Sequence, residues 1–280
     1  MTVAVAGARR RRRIRPADSF LTVWGLLGLA FLFFPIVVIV VFSFNNGRTL
    51  QTIDGFGIDA YVAALTNPAI VNSITVSLIT ATGTAVVATV LGTFAGIALT
   101  RRPGWWAPGL LMLLGLVMVT PEIVSAISLL PWFVTLGVDN GLAAFNIGQV
   151  RLIIANSLFA SAVVTFIVRA RMTGMNETLE EAAADLYAPP FRRFTDITLP
   201  LIRPAVISGA LLAFTLSLDN TVVSSFVSVA GSTPWPVYIF ASLKASLRPE
   251  IAAMSTLMLV LTLIVLGVAA LILRLSLIHI

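Results

Sequence analysis

Long apolar runs with almost no charged side chain limit most strongly what this chain can fold into. A helix that crosses the hydrocarbon core of a bilayer needs about 20 apolar residues, and a barrel strand needs only about 10 that alternate in polarity. The runs here are long and do not alternate, so they predict membrane-spanning helices. The six predicted spans are residues 20–44, with Pro35 as an expected kink, and residues 70–100, 106–133, 152–168, 204–223 and 252–273.

The composition supports an all-α polytopic membrane protein and excludes several functional classes. Hydrophobic residues make up 58% of the chain and charged residues 11%, whereas a soluble domain carries about 25% charged residues. The chain has no cysteine and one histidine, His279. Thiolate metal sites, cysteine nucleophiles, histidine metal centres and catalytic triads are therefore not expected, and we predict neither catalytic nor metal-binding residues.

The basic residues predict the orientation in the membrane. If the N terminus is cytoplasmic, 14 of the 18 basic residues fall in cytoplasmic segments, so both termini are expected there. Residues 1–19 form a basic cytoplasmic segment, and residues 20–280 a single transmembrane domain. The net charge of +6 therefore indicates contact with lipid headgroups, not with nucleic acid. The N-terminal arginines that dominate this pattern are Arg9, Arg10, Arg11, Arg12, Arg13 and Arg15.

One long polar loop, residues 169–203, holds ten of the charged side chains. Thr178 and Glu181 fit a capping box, which predicts a helix that begins there. Pro189–Pro190 ends that helix and can begin a second one through Phe191–Thr195, before Leu199–Pro200 and Pro204 lead into the fifth span. The first helix has a narrow apolar stripe that either docks on a partner or packs on the chain's own bundle. The stripe consists of Leu179, Ala182, Ala183 and Leu186.

The same loop resembles a known signature. Its residues match the EAA motif, EAA-x3-G-x9-I-x-LP, of the inner-membrane permeases of bacterial ABC importers, except that Tyr187 replaces the glycine. The resemblance implies a coupling helix that inserts into a cleft of an ATPase subunit. At the glycine position a positive φ is expected, which tyrosine resists, so the turn is built differently or the ring fills the interface. The residues implied in coupling are Glu181, Ala182, Ala183, Leu186, Tyr187, Ile197, Leu199 and Pro200.

Looser matches extend the resemblance over residues 60–273 to the spermidine and putrescine permease branch. They comprise residues 120–124, 213–220, 233–239, 248–251 and 255–256. The resemblance implies a type I ABC importer permease fold in a bacterial inner membrane. It also implies a second permease chain, two ATPase subunits and an extracytoplasmic solute-binding protein as partners. Because the chain has no G-x-x-x-x-G-K-[ST] loop, we expect ATP and Mg²⁺ on the partner ATPase and no cofactor on this chain.

Two carboxylates, Glu122 and Asp219, are predicted at membrane depth, where ionisable groups are costly and usually face a water-filled path. A polyamine needs carboxylates for its ammonium groups and aromatic faces for cation–π contact. Glu122 could instead cap backbone donors freed by Pro121, Asp219 and Asn220 could pair with another helix, and the aromatic residues could be interfacial anchors. The candidate substrate path is Glu122, Asp219, Asn220, Trp132, Trp235 and Tyr238.

Two further polar or small-residue features are expected to pack helices. Gly92-x-x-x-Gly96 favours close helix packing inside this chain over a dimer contact, and Asn156 is expected to hydrogen-bond across helices. The sequence thus predicts a permease subunit, not an enzyme, with a polyamine as its solute. Other small cationic, opine-like or metal-chelate solutes are alternatives, as is an ion-driven secondary transporter with Glu122 as its proton site, although no inverted repeat is evident.

Overall fold

The computed structural model describes residues 16–47, 49–50, 52–176, 178–245 and 248–278. Within these ranges the chain forms helices and loops, with one isolated antiparallel bridge between Asn45 and Phe56. The N-terminal arginine block, Arg48, Glu177 and His279 lie outside the described residues. The helices are α1 (Pro16–Phe42), α2 (Asp59–Thr66), α3 (Pro68–Arg101), α4 (Ala107–Val119), α5 (Glu122–Val134), α6 (Gly148–Thr173), α7 (Thr178–Asp185), α8 (Pro190–Arg193), α9 (Leu199–Asp219), α10 (Val222–Val227), α11 (Trp235–Ala245) and α12 (Pro249–Ile278).

Six helical segments of the described chain are long and apolar enough to cross a membrane, which confirms the predicted all-α class and number of spans. The first and second predicted spans agree with α1 and α3 to within a few residues. The fourth is longer than predicted because α6 continues at both ends into basic residues. The six segments are Phe20–Phe42, Pro68–Arg101, Glu122–Asp139, Gly148–Thr173, Pro190–Asp219 and Pro249–Gly267.

The centre of the bundle is formed by α3, α6 and α9, which pack on one another. Gly92 and Gly96 of α3 lie against α6: a Cβ on Gly92 would come within 2.6 Å of the Val164 Cβ, and one on Gly96 within 3.0 Å of the Thr165 carbonyl oxygen. Small residues at such places allow helix backbones to approach closely in lipid. The glycine pair therefore packs helices inside this chain, as predicted.

In contrast, no residue of the apolar segment Phe20–Phe42 is buried by the rest of the chain.

The prediction of one continuous third span over residues 106–133 was wrong. The chain leaves the helix at Thr120 and Pro121, whose ψ angles are 127° and 133°, and α5 begins at Glu122. Proline has no N–H to continue the ladder and disfavours the helical conformation of the residue before it. The backbone break therefore lies well inside an apolar stretch.

The predicted bounds of the fifth span were also wrong. A π-helical turn, Phe194–Thr198, connects α8 to α9 without interruption, so the helical run starts at Pro190 and not at Pro204. Pro200 lies in the first turn of α9 and has no N–H, so it makes no i→i−4 bond at the point where the π-helical turn passes into α9. The helix ends at Asp219 because Asn220 is extended, with a ψ of 107°. The short helices α2 and α11 were not predicted.

Candidate docking surface and polar cavities

The coupling helix predicted from the sequence is α7, at the end of the bundle where α3 terminates with Arg101. The backbone N–H of Thr178 donates to Asn176 Oδ1 over 3.1 Å. Helix α7 begins at Thr178, so this residue is helical and does not precede the helix as the predicted capping box requires. Glu180 and Glu181 lie in the first turn of α7, where the helix dipole favours negative charge.

The turn after α7 places Tyr187 in the left-handed region, with a φ of 57°. Its N–H donates to the Ala184 carbonyl over 2.9 Å, and the N–H of Ala188 donates to the Ala183 carbonyl over 3.0 Å. These two bonds form a Schellman motif, the usual helix ending for glycine. The turn therefore keeps the backbone of a glycine-containing signature, so of the two alternatives left by the sequence the structure does not have the differently built turn. The ring is 95% exposed.

The apolar side chains of α7 and α8 point away from the bundle. Leu179 is 53% exposed, Leu186 83% and Phe191 76%. Ala182 is also exposed, whereas Ala183 is half-buried. Within the described chain the stripe, apart from Ala183, therefore does not pack on its own bundle, which favours docking over the alternative. We call this group the docking surface; it comprises Leu179, Ala182, Leu186, Tyr187 and Phe191.

The other residues of the signature link the docking surface to the transmembrane helices. Ile197 is half-buried in the π-helical turn, and Leu199 and Pro200 are exposed in the first turn of α9. Glu181 is exposed on α7. Since α8, the π-helical turn and α9 form one helical run, α8 is continuous with the transmembrane part of α9.

Glu180 is a residue of this site that the sequence analysis missed. Its Oε1 accepts hydrogen bonds from Arg101 Nη2 over 3.0 Å and from Thr198 Oγ1 over 2.5 Å. Arg101 ends α3, and Thr198 immediately precedes α9. One carboxylate oxygen therefore fastens α7 to two helices of the central bundle. An acidic residue in the one long loop and an arginine at a span end were visible in the sequence, but their pairing was not.

A small cavity lies where the break between α4 and α5 faces α6 and α9. Its volume is about 90 Å³, and it lies next to a second cavity of about 310 Å³. Glu122, Leu216 and Asn220 line both, and the larger cavity adds Asp219. The other residues around the small cavity are Val117, Thr120, Ser125, Leu129, Ala155, Asn156, Leu158, Phe159 and Val223.

The structure thus brings together three residues of the candidate substrate path. Among the described residues, the carboxylates of Glu122 and Asp219 have no hydrogen-bond or ion-pair partner. Asn220 Oδ1 accepts from the backbone N–H groups of Val223 and Ser224, over 2.9 and 3.3 Å, so it holds the start of α10. Asn220 therefore has a structural role beside its place in the cavity wall.

The three aromatic residues of the candidate path lie elsewhere. The Trp132 ring packs on Phe133 and Phe145. Trp235 is 5% exposed and stacks on Tyr238 with ring centroids 5.6 Å apart. The structure places these side chains in aromatic packing, not in the walls of the two cavities.

Asn156 differs from its prediction as an interhelical hydrogen-bond partner. The residue is 6% exposed on α6, and among the described residues neither Oδ1 nor Nδ2 has a hydrogen-bond partner. The interhelical bond was expected because amide side chains in lipid usually find a partner on another helix. Here the side chain lines the small cavity instead, because the break between α4 and α5 opens a space beside it.

Comparisons with known proteins agree with this architecture. Residues 88–277 match the family described as binding-protein-dependent transport system inner membrane component. The putrescine transport system permease protein PotI of Escherichia coli (strain K12) is 37% identical over 235 residues, covering 84% of this chain and 83% of the relative. The spermidine/putrescine transport system permease protein PotC of Haemophilus influenzae is 36% identical over 245 residues, covering 88% and 93%.

Solved structures share the fold at much lower identity. One chain of a bacterial alginate ABC transporter, solved with an alginate pentasaccharide-bound periplasmic protein, superposes with a TM-score of 0.66 at 15% identity, covering 93% of both chains. A chain of the MetNI methionine ABC transporter superposes with a TM-score of 0.62 at 14% identity, covering 74% of this chain and 95% of that one. The chain therefore belongs to the inner-membrane components of binding-protein-dependent transport systems, the permease subunits of ABC importers.

Proposed function

We propose that this permease carries polyamines such as putrescine and spermidine across the membrane. The observation that carries the proposal is the pair of adjoining cavities lined by Glu122 and Asp219, whose walls include no lysine or arginine. A polyamine bears only positive charge at neutral pH, so it is attracted by such walls. The relatives named for putrescine and spermidine transport support the same solute class.

The exposed carboxylates also support a second permease as a partner. Glu122 and Asp219 are exposed on the isolated chain, although both belong to helical segments long and apolar enough to span a membrane. A charged side chain facing lipid is costly, so this face is expected to line a path between two permease chains. The unburied α1 is a further surface that lipid or another chain can cover.

The remaining assembly follows from the docking surface. We infer that it receives one of two ATPase subunits, which bind ATP and Mg²⁺ and carry out all hydrolysis. An extracytoplasmic binding protein delivers the solute at the opposite end of the bundle. We therefore expect the docking surface and both termini in the cytoplasm, in agreement with the distribution of arginines.

Reconstitution tests the proposal. The permease would be purified with its partner permease, ATPase and binding protein and placed in proteoliposomes loaded with ATP, and uptake of radiolabelled putrescine and spermidine would be measured. We expect uptake that requires ATP and is competed by unlabelled diamines but not by a diol of equal length. Uptake limited to opines or metal chelates would overturn the polyamine assignment, and uptake driven by a proton gradient without ATP would favour the secondary transporter.

A further inference from the structure

We propose that the small cavity is a binding subsite for one terminal ammonium group of the transported polyamine, with Glu122 as counter-ion and Asn156 Oδ1 as a second acceptor. This inference rests on the proposed function and assigns it a specific site inside the chain. The subsite lies at the break between α4 and α5, against the middle of α6.

The strongest observation is the unsatisfied amide of Asn156. A buried polar group without a hydrogen bond is destabilising, and such groups are rare in folded proteins. Other buried unpaired atoms in the described chain include the hydroxyls of Thr80, Thr89, Ser157 and Ser161. A helical hydroxyl can turn to the carbonyl four residues earlier, but an asparagine amide in mid-helix has no such local solution. Asn156 therefore points to a partner from outside the chain.

The side chains around the small cavity favour a ligand that donates hydrogen bonds. Glu122 is the one charged residue around the small cavity, and its carboxylate accepts hydrogen bonds only. The Thr120 hydroxyl already donates to the Leu116 carbonyl over 2.7 Å, so towards a ligand it can only accept. An alkylammonium group has three donors and no acceptor. Glu122, Thr120 and the Asn156 carbonyl each offer an acceptor for such a donor.

The size and depth of the cavity suit the end of a polyamine. Its volume of about 90 Å³ is several times the roughly 10–15 Å³ that one water-sized group requires, so an ammonium and its first methylenes can enter. Apolar wall residues, among them Val117, Leu158 and Phe159, suit those methylenes. Asn156 lies eight residues into α6, about 12 Å from the start of the helix at Gly148. The larger cavity, with Asp219, adjoins the site and offers the next ammonium group a counter-ion.

The test uses the complete importer in proteoliposomes and substitutes Asn156 with leucine, which keeps the volume but removes the acceptor. We expect the maximal rate of polyamine uptake to fall about tenfold, as for the loss of a hydrogen bond to a charged group. The apparent KM should change less than twofold, because the binding protein captures the solute first. The matched control is Ser161→Ala, which removes a buried hydroxyl from the same helix outside the cavity and should leave uptake within twofold of the wild type.

A double-mutant cycle with Glu122→Gln separates a shared ligand from a general effect on the fold. If both side chains hold the same ammonium group, the double variant should transport no more slowly than E122Q alone. Additive losses, or N156L uptake equal to that of the Ser161 control, would overturn the subsite while leaving the polyamine assignment in place. Wild-type importer that takes up no polyamine would refute both.

A labelling experiment covers the case in which N156L fails to assemble. A photoreactive putrescine analogue would be added to the wild-type importer trapped during transport, and the labelled peptides would be identified by mass spectrometry. We expect labelling within residues 117–129 and 155–159 that excess putrescine prevents. Labelling confined to other segments would contradict the subsite.

Discussion

At the scale of a single residue, Tyr187 shows that a signature can keep its geometry while losing its glycine. A non-glycine residue in the left-handed region costs about 1–2 kcal/mol. The turn nevertheless closes with the two Schellman bonds, and the ring is almost fully exposed. Within this chain the ring offers no packing to offset the strain, so its contribution is expected in the complex with the ATPase subunit.

A comparison of Tyr187→Gly with Tyr187→Ala separates strain from the role of the ring. Both variants remove the ring, but only glycine adopts the positive φ without cost. We expect the glycine variant to be more stable than the alanine variant by about 1 kcal/mol. The measurement is thermal unfolding of the purified permease in detergent.

The same pair tests the function of the ring. If the ring contributes to docking, both variants should lower ATP-driven uptake to a similar extent. Equal stabilities of the two variants would show that the positive φ carries no strain in this turn.

At the scale of elements, the junction at Glu180 joins α7 to α3 and to the start of α9. Its carboxylate is 24% exposed and the Arg101 side chain 14%, so solvent screens the pair only in part. Charge-assisted hydrogen bonds between such groups are stronger than neutral ones. We therefore expect a force on α7 to reach two central helices through this side chain, in addition to the covalent route through α8.

Reversing the charge at this junction should uncouple the helices. We expect Glu180→Arg, which places two cations together, to reduce uptake at least tenfold while ATP hydrolysis continues. The matched control is Asp185→Asn, an exposed charge loss on the same helix that should change uptake less than twofold. The measurement is the number of polyamine molecules taken up per ATP hydrolysed in proteoliposomes.

A second substitution makes the test specific to the pair. Combining Glu180→Arg with Arg101→Glu restores opposite charges, and uptake should recover in part. Recovery is expected to be incomplete because the Thr198 hydroxyl also needs its carboxylate. If the double variant is as defective as E180R, the ion pair is not the coupling element.

The same elements show how far the sequence could predict the structure. Apolar length identified six spans because lipid requires a continuous helix, and the coupling helix followed from its signature. The break at Thr120–Pro121 was missed, since Pro35 and Pro131 lie inside helices that continue past them. A proline in an apolar run therefore does not by itself show whether the helix continues past it or breaks there.

The candidate site was also predictable only in part, because its geometry depends on contacts between helices that are distant in the sequence. The rarity of charge in the apolar runs was sufficient to select Glu122 and Asp219. Asn156 was assigned a partner that it lacks, because its environment depends on the cavity opened by the break between α4 and α5. The pairing of Arg101 with Glu180 spans 79 positions of the chain and has no local pattern. Contacts between distant helices thus account for most of what the sequence did not reveal.

At the scale of the whole molecule, the docking surface and the two polar cavities lie at different heights of one bundle. The docking surface is at the Arg101 end, and the cavities lie further along the bundle, where α5, α6 and the C-terminal end of α9 meet. Because α9 begins at the coupling turn and ends at Asp219, a single helix connects both regions. Movement of the docking surface is therefore expected to change the cavity walls.

Loss of the docking surface should abolish binding of the ATPase subunit to this permease. Leu186 is 83% exposed in the turn directly after α7, and an arginine there would place an unpaired charge in the apolar contact. We expect Leu186→Arg to abolish co-purification of the ATPase subunit in mild detergent while the partner permease still co-purifies. The matched control is Trp105→Arg, because Trp105 is 96% exposed at the same end of the bundle but outside α7 and α8. Retention of the ATPase by L186R, or equal loss in both variants, would contradict α7 as the docking element. Loss of the ATPase subunit in L186R alone would support α7 as the docking element. Such a permease would have intact polar cavities, but without ATP hydrolysis these cavities would not open alternately to the two sides of the membrane.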